Sequence, residues 1–185
     1  MEPTSAHALL TEWESFYVIV GSSAGALTGL MFVVIALAAD SNLPRTADSV
    51  NAFGTPNVIH FVTVLLLSAV LSAPWQLTRS PAHVIGFMAI AGVIYVFVVL
   101  RRMLRQASGG YKPVLEDWIW HLFVPMGSYA TLFVGAAGMA HEQRWAMFVI
   151  GGVSFALLCV GIHNAWDTVT YIAATRGEGQ KPVSK

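Results

Sequence analysis

Five stretches of this 185-residue chain contain no Lys, Arg, Asp or Glu: roughly 16–39, 58–73, 84–100, 118–140 and 145–162. Bilayer hydrocarbon takes about 20 helical residues to cross, with about 17–25 workable. Four of the stretches fit that length, and the second leans on its flanks. The composition agrees, with 56% hydrophobic and only 11% charged residues, against about 25% charged in an ordinary soluble domain. Such a chain cannot cover its core with polar surface, so lipid must be its outer solvent. In lipid every backbone N–H and C=O needs an internal partner, which leaves helices or a closed barrel. Barrel strands alternate apolar and polar residues, and the run Val58-Ile-His-Phe-Val-Thr-Val-Leu-Leu-Leu does not. The expected fold is all-α, a polytopic membrane bundle of five transmembrane helices spanning 1–175, followed by a disordered cytoplasmic tail at 176–185.

Five spans put the termini on opposite sides. Of the ten Lys and Arg, only Arg79 and Arg144 fall on the N-terminal side, and the other eight fall opposite: Arg45, Arg101, Arg102, Arg105, Lys112, Arg176, Lys181 and Lys185. Short basic loops stay cytoplasmic, so the N-terminus is expected outside and the C-terminus inside. Trp13, Trp75 and Trp145 mark one interface, and Trp118, Trp120 and Trp166 the other, as an aromatic belt requires. An acidic N-terminus (Glu2, Glu12, Glu14) before a long apolar run argues against a cleaved signal peptide. The lone Cys159 has no partner in the chain.

The short connections at 74–82 and 141–144 predict that helices two and three, and four and five, pair as antiparallel hairpins. The other connections, 40–57 and 101–117, are longer and contain turn formers such as Pro44, Gly54, Gly109 and Pro113. Arg101, Arg102 and Arg105 suit topology and contact with anionic headgroups. Three arginines beside a membrane helix give no support for nucleic acid as a partner. Pro125 is expected to kink helix four.

Helix one carries Gly21, Gly25 and Gly29 on one row. Small residues four apart let helix backbones approach closely, which suits internal packing or contact with a second copy or a membrane-protein partner. The run Trp13-Glu-Ser-Phe-Tyr-Val-Ile-Val-Gly-Ser-Ser-Ala-Gly-Ala-Leu-Thr-Gly-Leu-Met-Phe-Val resembles the opening helix of small bacterial inner-membrane proteins. Some of these are labelled modulator of the membrane protease FtsH. The resemblance implies a multi-pass protein of the bacterial inner membrane and carries no functional residue with it.

With the spans oriented, His60, His121 and His163 fall on three different helices about one turn inside the cytoplasmic boundary. Asp117 precedes His121 by four residues and Asp167 follows His163 by four, so each carboxylate shares a face with its histidine. Imidazoles backed by carboxylates are metal-site chemistry. His60, His121, His163, Asp117 and Asp167 are therefore candidate ligands for a divalent transition metal such as zinc, and two of the histidines could alternatively clamp haem. The competing readings are a proton-sensitive or transport-related polar cluster, and histidines at a membrane interface with no further role. Three classes of function stay open: an oligomeric channel, transport unit or accessory subunit with a His-rich vestibule; an intramembrane metal-dependent enzyme resembling a lipid hydrolase; and a haem-binding anchor. The absence of charge within the spans weighs against a proton pump.

Overall fold

A computed structural model describes residues 5–39, 47–108 and 114–179, with side chains described at 8–36, 57–105 and 114–170. The apolar runs become five helices: α1 (Ser5–Ala39), α2 (Ala47–Leu71), α3 (Arg79–Ser108), α4 (Leu115–Ala140) and α5 (Trp145–Gly179). Among the described residues there is no strand. Four helices are long and apolar enough to cross a bilayer, over Ala8–Ala36, Arg79–Arg105, Leu115–Ala140 and Trp145–Thr170. The apolar part of α2, Asn57–Leu71, is shorter.

Helices overrun the apolar stretches where the flanking residues are good helix formers. Arg101, Arg102 and Arg105, expected in a loop, ride on α3, and α2 begins ten residues before Asn57. Helix α5 likewise takes in 176–179 of the expected tail, while 180–185, 40–46 and 109–113 lie outside the described residues.

The expected pairing of helices four and five holds, but that of two and three does not. Helix α2 packs mainly on α1 and α5, α3 packs mainly on α4, and α2 meets α3 only lightly. Glycine notches explain the choice. Phe61 of α2 lies against Gly161 of α5, and the Tyr129 ring of α4 lies against Gly92 of α3, each filling the place a Cβ would take. A seven-residue link, 72–78, brings the ends of α2 and α3 together but gives their sides nothing to interlock. On the row of small residues in α1, a Cβ at Gly21 would stand 2.6 Å from Ser68 Cβ, while Gly25 meets only Leu65 and Gly29 faces open space. The row therefore serves internal packing at one end only.

The α4–α5 turn closes with backbone bonds from Gln143 N to Gly138 O at 3.0 Å and from Glu142 N to Met139 O at 3.0 Å. These are the paired bonds of a Schellman motif, which sets its C′ residue in the left-handed region. Glu142 occupies that position with φ 59°, where a Cβ crowds the following carbonyl. Glu142→Gly is expected to raise stability by about 0.5–1 kcal/mol, measured by denaturant-induced unfolding in mixed micelles. An unchanged or lower midpoint would count against this account of the turn.

Candidate functional site

The buried polar side chains gather at the end of the bundle where α2 and α4 begin and α3 and α5 finish. Asn57, His60 and Asn164 are all buried there. The other half of the core is closed by Leu67, Leu71, Leu132, Met139, Met147 and Ile150, each 2% exposed or less. Its few buried polar groups, such as Ser68 and Thr78, are single hydroxyls.

His60, only 2% exposed, anchors a hydrogen-bonded chain. Its Nδ1 lies 3.1 Å from the Tyr129 hydroxyl, which lies 3.3 Å from Thr63 Oγ1, and Thr63 in turn donates to the Ile59 carbonyl at 2.8 Å. Counting protons fixes the direction. Thr63 has one proton and gives it to Ile59, so it can only accept from Tyr129. Tyr129 then gives its own proton to Thr63 and must accept from His60 Nδ1–H. One assignment satisfies all three contacts, and in it His60 Nδ1 carries a proton and donates it to Tyr129. Burial at the α3 notch holds the Tyr129 ring in place, because Gly92 leaves room for it. Tyr95 of α3 meets the His60 ring edge-on, at 6.5 Å between centroids.

A second group forms the rim. The His163 ring stacks on Trp120 at 4.0 Å with 21° between planes. His163 Nε2 stands 3.3 Å from Asp167 Oδ2, the expected face-sharing pair, and 3.6 Å from Glu116 Oε1. Asp117 stands within reach of His121, as their spacing suggested, and it has a second part as well. Its carboxylate accepts the Val114 N–H at 3.0 Å, reaching back to cap the start of α4 as an acidic residue in the first turn does. Asn57 donates to Thr168 Oγ1 at 3.5 Å, and Thr168 donates to the Asn164 carbonyl at 2.9 Å.

The three histidines do share one end of the bundle, and His121 lies within electrostatic reach of both His60 and His163. Their partners nevertheless differ. His60 turns to Tyr129 and His163 to Trp120, and among the described residues no three His, Cys, Asp or Glu side chains converge on a point that could hold a metal ion. The sequence pattern showed shared depth, but convergence needs the rings to face one another as well.

Between the two groups, α4 departs from regular geometry. Residues Ile119–Phe123 form a π turn in which Val124 N–H donates to Ile119 O, five residues back. Pro125 follows directly. Its ring would clash with the carbonyl of residue i−4, here His121, and it offers that carbonyl no N–H. The wider turn is how the helix absorbs the proline, so the expected kink takes the form of a π turn. Such turns recur at functional sites. The sequence alone does not mark Thr63, Tyr95, Glu116, Trp120 or Tyr129 as members of the site. The signal that finds them is interhelical register, with Gly92 against Tyr129 as its marker.

Gly92→Ala should displace the Tyr129 ring and break the His60 contact without touching a polar residue. The expected loss is about 1–3 kcal/mol of stability by overpacking, while Gly127→Ala, at a position open to space, should be neutral or slightly stabilising. Tyr129→Phe, which removes only the hydroxyl, should cost about 1 kcal/mol. Unfolding in mixed micelles reads all three, and equal behaviour of the two glycine variants would contradict the notch.

No protein-family model, curated protein or solved structure matches this chain, so the functional reading rests on geometry.

Proposed function

We propose that the protein is a small transport unit of the bacterial inner membrane, with its N-terminus outside and its C-terminus cytoplasmic, working through the polar basin around His60. The observation that carries this reading is the one-ended distribution of buried polarity. Asn57, His60, Tyr129 and Asn164 line one half of the core, and Leu67, Leu71, Leu132 and Met139 shut the other. A carrier facing one side of its membrane has this form, with hydrogen-bonding groups behind an apolar gate. The π turn beside the basin supports it, since irregular helix at membrane depth is tolerated where it lines a site or is buried in protein.

Orientation follows from the charge bias, and the bacterial inner membrane from the resemblance of helix one. The open Gly29 end of α1 is the surface offered to a second copy or a partner helix. Oxidative cross-linking of Gly29→Cys in membranes, with Cys159 replaced, should give a dimer band, and a purely monomeric product removes that contact. Cysteines at Arg144 and at Lys185 should react with a membrane-impermeant maleimide on opposite faces, Arg144→Cys from outside; the reverse pattern inverts the topology. In proteoliposomes the wild type should pass a small polar solute faster than empty vesicles, and Tyr129→Phe should slow it several-fold. A wild type with no flux of ions or neutral solutes leaves the accessory-subunit reading in its place.

A further inference from the structure

Helix α3 is covered on one side only. It packs mainly on α4 and meets α2 lightly, and Phe87, Ile90, Ile94, Phe97 and Leu104 stand exposed along its outer side. Their spacing of three and four residues makes one helical row, and exposed Arg101 completes it between Phe97 and Leu104. In a bilayer that row faces acyl chains, and Arg101 marks where it meets the headgroups. Arg102 sits on the adjoining flank, within electrostatic reach of Tyr95, whose ring borders His60 of α2. Arg105 follows Arg101 by four residues and Arg102 by three, so it neighbours both on the helix surface. Helical backbone as far as Ser108 holds these positions at fixed spacing. The acidic groups at this end of the bundle have partners of their own: Asp117 accepts the Val114 N–H, and Asp167 and Glu116 face His163. Among the described residues neither Arg101 nor Arg102 forms an ion pair.

We propose that this flank of α3 binds one anionic phospholipid, its phosphate on Arg101 and Arg102 and an acyl chain along Phe97, Ile94 and Ile90. The chemistry of the flank selects that partner. A guanidinium meets a phosphate through paired N–H donors. Two of them favour a headgroup of net negative charge over a zwitterionic one, whose ammonium they repel. A soluble anion would leave the apolar row unused, and a neutral lipid would leave the guanidiniums without a counter-charge. General attraction of basic residues to an anionic leaflet needs no such row. The join of row and arginines makes a seat for a single lipid. It lies on the outside of the bundle, so it stands whether or not the protein carries a solute.

Native mass spectrometry of the purified full-length protein in detergent tests this with phosphatidylglycerol and phosphatidylcholine of identical acyl chains. Phosphatidylglycerol should saturate at a single copy per chain, at a concentration about tenfold or more below that needed for phosphatidylcholine. Arg101→Gln and Arg102→Gln should each weaken it about fivefold and together about thirtyfold, leaving phosphatidylcholine unchanged. Both positions are exposed and glutamine is a good helix former, so the variants keep the fold. Arg79→Gln, at the opposite end of the same helix, should change nothing. Glycerophosphoglycerol, the same headgroup without acyl chains, should not displace the lipid. Equal retention of the two lipids, undiminished retention in the double variant, an equal loss from Arg79→Gln, or displacement by glycerophosphoglycerol each overturns the proposal.

Discussion

Helices surrounded by lipid gain little from hiding apolar side chains from one another, because the lipid tails are equally apolar. What decides which helices touch is where a side chain finds room against a bare backbone. Here the decisive contacts are Phe61 on Gly161 and Tyr129 on Gly92. The first ties α2 to α5 and the second ties α3 to α4. Together with the α4–α5 hairpin they fix the order in which the helices sit, and chain connectivity between α2 and α3 yields to them. Trp13, close over Gly151 and edge-on to Phe148 at 4.8 Å, fastens α1 to α5 by the same device.

The polar chain depends on these notches. In a low-dielectric core a hydrogen bond is stronger, but an unmet donor costs more. His60 is tolerated between apolar neighbours because Tyr129 can accept from it, and Tyr129 is in position because its ring rests on Gly92. Two side chains on neighbouring helices thus owe their chemistry to a third position that has no side chain. The surface pair Arg144–Glu12, 3.7 Å apart with side chains 81% and 59% exposed, contributes little by comparison.

Much of the architecture is legible in the sequence, because solvent leaves a one-dimensional signature. Charge-free runs give the helices, and the sorting of polar residues by depth correctly brings His60, His121 and His163 to one end. Asp167 meeting His163 follows from helical periodicity alone. The contacts that require interhelical register are not legible: Glu116 reaching His163 across 47 positions of sequence, Thr63 completing the Tyr129 chain, and the separation of α2 from α3. A shared depth fixes one coordinate of a side chain. Rotation about the helix axis fixes the other, and nearly uniform apolar runs carry almost no signal for it. The spacing of Asp117 to His121 does bring the two together, while the cap that Asp117 gives its own helix is a second role, open to any first-turn carboxylate.

Helix α4 joins these threads. Pro125 denies the His121 carbonyl its usual donor, and the π turn at Ile119–Phe123 carries the resulting mismatch. Facing lipid, such a break would be expensive, since no water is present to meet a released carbonyl. Here it lies among side chains able to hydrogen-bond, and the turn itself supplies both the Trp120 that stacks on His163 and the His121 that stands between the two polar groups. The polar basin and the helical irregularity therefore depend on each other. Hydrogen-bonding side chains nearby make the irregular turn tolerable, and the turn carries Trp120, which stacks on His163, and His121, which lies within electrostatic reach of His163.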